Sequence, residues 1–345
     1  MKMKKVVIAL GGNALGSTPE EQKERVKRSA RSIVDFVESG VQVLVCHGNG
    51  PQVGMIKKSM DIAAKSGEKQ PLVPFPECDA MSEGYIGYHL QNAVCNEFRA
   101  RNMTGSAVTV VTQVQVDASD PSFQRPTKPI GGFMSKEDAD KLAAAGVSVV
   151  EDAGRGYRQV VASPLPRRIV EEESVRKLVD MGVTVIAGGG GGVPVVEKDG
   201  VFVGVDAVID KDFTSVKLAE TIDADVLVIL TAVEKVAIHF GTPDQKWLDR
   251  LTAAEAEQYI ENNEFAEGSM LPKIKAAIAF VRSKSGRKAL ITSLEKAKEG
   301  LEGFTGTWIQ AEPAYTGCPC VSIGRRREPH DFPEKARKSP IVESR

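Results

Sequence analysis

Six short runs of β-branched and aliphatic residues recur between longer amphipathic stretches: VVIAL (6–10), VQVLVC (41–46), SAVTVVTQVQV (106–116), VTVIA (183–187), DVLVIL (225–230) and KALIT (288–292). Most are continuously apolar, which fits strands buried on both faces of a parallel sheet rather than strands with one wet face. The stretch between the first two carries helix signals of its own. Thr18 and Glu21 have capping-box spacing, Pro19 follows the cap, and Val26, Ala30, Ile33, Val34 and Val37 share one face before Gly40. Helical spacing also covers 77–101, 135–145, 167–181, 213–222, 252–263 and 272–284. This alternation predicts an α/β protein, a three-layer αβα sandwich around a mainly parallel central sheet. Residues 117–165, rich in Pro, Gly and charge, read as a small inserted lobe. Residues 310–345 lack apolar periodicity and read as a disordered tail beyond a main domain of 1–309.

Charge and cysteine usage narrow the function classes. Lys plus Arg number 45 against 46 Asp plus Glu, so the basic excess of a general nucleic-acid or membrane-surface binder is missing. Five Cys form no CxxC pair, which suits a reducing compartment, and four scattered His without HExxH predict no resident metal site. The first apolar run stops at Gly11, short of a signal peptide, and the longest, 226–233, falls far below the roughly 18 residues of a membrane span. The chain therefore reads as cytoplasmic.

Three glycine-rich segments each follow a predicted buried strand: GGNALG (11–16), HGNGPQVG (47–54) and GGGGGVP (188–194). Glycine lets backbone N–H groups approach an anion, and in parallel sheets ligands gather at the carboxyl ends of strands. One such segment is an ordinary tight turn; three on one sheet point to a phosphate site. No Gly is followed by Lys and Ser or Thr as in a Walker A loop, and Val53 and Val193 stand where a dinucleotide fingerprint needs Gly. Candidate cations are Lys128 in PTKPIGG, Lys211 beside Asp212 in AVIDKDFTSVKLAE, and Lys273 in GSMLPKIKAA. Each taken singly is more simply a solvated surface lysine, and Asp210-Lys211-Asp212 a charged helix cap.

Taken together, VVIALGGNAL, VCHGNGPQVG, DAMSEGYIGYHLQ, KPIGGFMSKEDA, VIAGGGGGVPVV, AVIDKDFTSVKLAE and GSMLPKIKAAIAF resemble the carbamate kinases of the amino-acid kinase family, over about residues 4–309. The resemblance implies reversible phosphoryl transfer between ATP and carbamate, yielding ADP and carbamoyl phosphate, with Mg²⁺ accompanying the nucleotide. It also implies a homodimer and an ATP-forming role in arginine catabolism. Carried over, Gly11, Gly12 and Asn13 match the loop at the transferred phosphoryl group, and Gly48, Asn49 and Gly50 the acceptor pocket. Gly189 and Gly190 match the loop nearing the phosphates, Lys128, Lys211 and Lys273 the lysines around them, and Asp212 the acid that positions those lysines. Segment 231–245 resembles the adenine-side wall. Phe304, Glu83 and His239 depart from the family pattern.

The chemistry suits these residue types, since phosphoryl transfer is catalysed chiefly by positioning and fixed positive charge. Carbamate attacks through an oxygen that is already anionic, so no general base is required. Rival readings are another amino-acid kinase, of acetylglutamate or uridylate type, and a catalytically silent nucleotide sensor. Aspartokinases and many glutamate 5-kinases carry a folded regulatory domain that a polar tail cannot supply, and uridylate kinases lack the inserted lobe. Truncating Lys211 is expected to cut turnover while leaving thermal stability nearly unchanged. Lys128, between Pro126 and Pro129 and before Gly131-Gly132, is expected on a lobe that closes over the substrates.

Overall fold

Every residue of the first predicted strand, β1 (Lys5–Leu10), is buried, and its side chains divide between two cores. The computed structural model describes residues 4–11, 15–16, 18–66, 70–152 and 154–311, so Gly12, Asn13 and residues 312–345 of the predicted tail lie outside the described residues. From β1 the chain continues through α1 (Pro19–Glu38), β2 (Gln42–His47), α2 (Gly50–Lys65), α3 (Phe75–Ala100), β3 (Ala107–Thr109) and β4 (Gln113–Val116). Next come β5 (Lys128–Met134), α4 (Lys136–Ala144), β6 (Val149–Glu151), β7 (Tyr157–Val161), β8 (Pro166–Ile169), α5 (Glu172–Asp180) and β9 (Thr184–Ile186). A hairpin of β10 (Val193–Lys198) and β11 (Val201–Gly204) precedes α6 (Lys211–Thr221) and β12 (Val226–Thr231). The remainder holds β13 (Val236–Ile238), β14 (Lys246–Leu248), β15 (Arg250–Thr252), α7 (Ala253–Glu261), α8 (Met270–Ser283), β16 (Lys288–Ser293), α9 (Ala297–Leu301) and β17 (Thr307–Gln310).

Eight strands form the main sheet in the order β15-β17-β16-β12-β1-β2-β9-β3, and only β16 and β17 run antiparallel. Strand periodicity then sorts the side chains. Val6, Ile8 and Leu10 pack with Ile33 and Val34 of α1 and Ile86 and Leu90 of α3. Val7 and Ala9 share the opposite core with Val179 of α5, Leu218 of α6 and Ile274 of α8. The result is the three-layer sandwich expected from the apolar runs. Thr18 caps α1 as its spacing predicts, its Oγ1 accepting from Glu21 N at 3.2 Å.

Five predicted helices appear within two residues of their expected ends: α3, α4, α6, α7 and α8. The sixth does not, because the segment 167–181 opens as a strand. β8 pairs antiparallel with β4, placing Ile169 opposite Val114, and only Glu172–Asp180 is helical. The run 106–116 also divides: β3 joins the main sheet, whereas β4 lies in a second sheet ordered β11-β10-β4-β8. Residues 50–65, to which the sequence assigns no helix, are helical. Gly50 and Pro51 open α2, where a first-turn proline costs no hydrogen bond. The expected tail boundary at 310 falls inside β17, whose Gln310 pairs with Lys288.

Between β4 and β8 the chain forms a separate antiparallel sheet, β5-β7-β6, with α4. In the segment 117–165 the pieces VSVVE and YRQVV look strand-like in the sequence and form β6 and β7, whereas β5, the strand that carries Lys128, gives no such signal. A small core of Val53, Phe75, Cys78, Ile130, Val161 and Val208 joins this sheet to α2 and α3.

Candidate active site

The carboxyl ends of β12, β1, β2 and β9 are neighbours in the sheet, and a cleft of about 540 Å³ opens above them. That volume is in the range of small-molecule sites. Each strand delivers one piece of the wall: Thr231 from β12, Gly11 after β1, Gly48 after β2 and Gly190 after β9. Of the residues singled out in the sequence, Gly11, Gly48, Asn49, Gly50, Gly190, Lys128, Lys211, Asp212 and Lys273 all line it. Gly189 does not; it is buried, and a Cβ there would lie 2.6 Å from the His47 ring. Thr231 and Ala232 are the part of segment 231–245 that reaches the cleft.

The cations are organised by two aspartates at the start of α6. Asp212, buried in the first turn, binds Lys211 Nζ through Oδ1 at 2.6 Å and Lys273 Nζ of α8 through Oδ2 at 2.9 Å. Burial alone would raise the Asp212 carboxyl, but the two ammoniums outweigh it and hold the group at about 2. Burial would likewise lower Lys211, yet Asp212 keeps its ammonium above the usual lysine value. Asp210 is the N-cap of α6. Its Oδ1 accepts from Asp212 N at 3.0 Å while its Oδ2 receives Lys128 Nζ at 2.8 Å. Cap and charge site are therefore one structure, and Asp210 belongs to the cleft, although the sequence suggested only the cap. Three lysines from three separate elements, β5, α6 and α8, thus meet in one place.

The glycines of 188–192 answer first to backbone geometry. Gly190 has φ +71°, and a Cβ there would fall 2.1 Å from Asn49 Nδ2; at Gly191 (φ +108°) it would meet Ile209 O at 2.0 Å. Positive φ and close approach require glycine at both positions whether or not an anion binds.

A second group of buried polar residues was not assigned to the site from the sequence, where only Glu83 drew notice, as a departure from the family pattern. Behind the loops, α3 presents Asp79, Ser82 and Glu83, all buried, beside buried His47 and Thr112. Asn49 Nδ2 donates to Asp79 Oδ1 at 2.5 Å and to Ser82 Oγ at 2.7 Å. Glu83 Oε2 accepts from Thr112 N at 2.8 Å, and Thr112 Oγ1 accepts from Gly188 N at 2.8 Å. The departure at Glu83 thus falls against the glycine run, whereas Phe304 is exposed and His239 pairs with Glu264. Among the described residues no group of three His, Cys, Asp or Glu side chains could hold a metal ion.

Strand-end glycine loops, a carboxylate bridging two lysines and a third lysine from a separate sheet make a cleft whose chemistry suits an anionic ligand. The sequence model of the amino acid kinase family matches residues 4–293, and the chain belongs to that family. Within it, the chain stands among carbamate kinases. It is 55% identical over 306 residues to the carbamate kinase-like protein YqeA of Escherichia coli strain K12, covering 89% of this chain and 99% of the relative. Against carbamate kinase 2 of Enterococcus faecalis the identity is 53% over 307 residues, covering 88% and 97%. The structure of carbamate kinase from Giardia lamblia bound to AMP-PNP superposes with a TM-score of 0.84 at 42% identity, covering 90% of this chain and 99% of that one.

Proposed function

We propose that the protein is an ATP-dependent carbamate kinase, interconverting ATP plus carbamate with ADP plus carbamoyl phosphate. The observation that carries this reading is the convergence of Lys128, Lys211 and Lys273 on one cleft, two of them fixed by a single buried carboxylate. Their ammoniums are placed to neutralise charge on the transferred phosphoryl oxygens, and Asp212 sets the spacing of Lys211 and Lys273 before substrate arrives, so little reorganisation accompanies reaction. Main-chain amides at Gly11 and at the start of α2 suit an acceptor too small to offer side-chain contacts. Asp210 and Asp212 are already occupied by ammoniums, which agrees with a nucleophile that needs no base.

The same occupancy bears on Mg²⁺. With both aspartates engaged by lysines, the cleft fits an ion that enters on the nucleotide phosphates and keeps its waters rather than one caged by protein. When bound, Mg²⁺ would add positive charge at the phosphate oxygens. The resemblance further supports ATP formation in arginine catabolism by a cytoplasmic homodimer; no helix among the described residues is long and apolar enough to cross a membrane. Purified protein given carbamoyl phosphate, ADP and Mg²⁺ should form ATP. Phosphorylation of acetylglutamate or UMP with no ATP from carbamoyl phosphate would replace this reading with a sister activity. ADP binding without turnover would leave a nucleotide sensor.

A further inference from the structure

Asn49 is the N-cap of α2, a position where an asparagine ordinarily turns its side-chain oxygen onto the N–H of the third helical residue, here Gln52. It does not do so. No side chain caps α2, because the Asn49 carboxamide is turned to α3, giving both its N–H groups to Asp79 and Ser82. Ser82 Oγ in turn donates to the Asp79 main-chain oxygen at 2.8 Å, so the two acceptors hold one another. Spacing of three on a helix places them on the same face. Over this arrangement lies Gly190, whose missing Cβ leaves room for the Asn49 amide.

We infer that Asp79, together with Ser82, is a positioning residue for the acceptor end of the cleft: it holds Asn49 off its own helix and keeps the first-turn N–H groups of α2 open to the acceptor anion. The same contact locks the loop after β2 to the loop after β9, since a rotated Asn49 would no longer fit beneath Gly190. What Asn49 needs from Asp79 is an acceptor oxygen rather than a charge. Burial pushes the Asp79 carboxyl up to about 8, with the Asn49 hydrogen bond opposing, so near neutral pH the group is largely protonated and still accepts through its carbonyl oxygen.

This inference rests on the carbamate kinase reading, and the experiment separates the two: the wild-type rate of ATP formation tests the reading, and the ratios among variants test Asp79. KM for carbamoyl phosphate and for ADP are measured separately for wild type, Asp79→Asn, Asp79→Leu and Ser82→Ala. Asp79→Leu, which removes the acceptor, should raise the carbamoyl phosphate KM about 10-fold or more, with the ADP KM within about 2-fold. Asp79→Asn restores an acceptor oxygen and should stay within about 3-fold of wild type for both substrates. Should Asp79→Leu fail to fold, Ser82→Ala decides by the same ratio, with about a 3-fold rise expected for carbamoyl phosphate alone. Equal rises in both KM values, no rise for carbamoyl phosphate, or an Asp79→Asn as damaged as Asp79→Leu would each overturn the inference.

Discussion

At the residue scale the site turns on Asp212, whose two oxygens hold lysines from two helices. From sequence, Lys211 reads as a residue that can be truncated without loss of stability. The structure corrects that expectation: its side chain is 11% exposed and paired to a carboxylate that is 3% exposed. Replacing it leaves a buried charge with Lys273 as its remaining ammonium, and an unmatched buried charge is costly. Lys211→Met is therefore expected to lower kcat by about 10²-fold, on the scale of losing one preorganised contact to the transition state. It should also lower unfolding free energy by about 2 kcal/mol. Turnover and denaturant unfolding on one preparation separate the two effects. Wild-type kcat with reduced stability would make Lys211 a structural counter-ion and nothing more.

At the element scale the telling contact lies between α2 and β5, where a Cβ on Gly54 would lie 2.5 Å from the Gly131 main chain. Here the sheet that carries Lys128 rests directly on the helix that starts at the cleft. Lys128 reaches Asp210, so the lobe's lysine is held at the site by an ion pair that a substrate phosphate can replace. Helix propensity alone favours Gly54→Ala by about 1 kcal/mol, so a loss of function would come from the contact and not from the helix. We expect Gly54→Ala to displace β5 and lower kcat on the order of 10-fold or more, since small misplacements of a catalytic group are expensive. Gly132→Ala, one residue beyond the contact and with nothing within 4 Å of its added Cβ, should leave kcat unchanged. Equal kcat in the two variants would mean that the seat of the lobe on α2 does not matter to Lys128, and the lid reading would go with it.

At the scale of the whole molecule, stability should carry the mark of a histidine buried without charge. Burial brings His47 down to about 4, with its hydrogen bond to the Gly48 main chain opposing and Lys211 adding to the shift. A depressed histidine makes the unfolded chain bind more protons between about pH 4 and 6.5, so its contribution to stability rises with pH across that window. Relative to His47→Gln, wild type should gain up to about 3 kcal/mol between pH 4 and 7 in denaturant unfolding; a flat difference would mean that His47 titrates normally. The fold was legible because VVIAL and its counterparts are too apolar for anything but covered strands, and the cleft because its loops follow those strands. What was not legible depended on pairing. Helical spacing runs back through Arg167 and Arg168 until pairing with β4 makes them part of β8, and Asp79 and Ser82 look like solvent-facing polar residues until α3 is placed against Asn49. The strand order β12-β1-β2-β9 has a consequence for substrate size. Neighbouring strands stand about 4.8 Å apart, so the four strand ends under the cleft span about 14 Å, a length set by main-chain hydrogen bonds that no side-chain substitution can stretch. The sheet is thus a ruler laid beneath donor and acceptor, and a bulkier acceptor could be admitted only by rebuilding what stands above its marks.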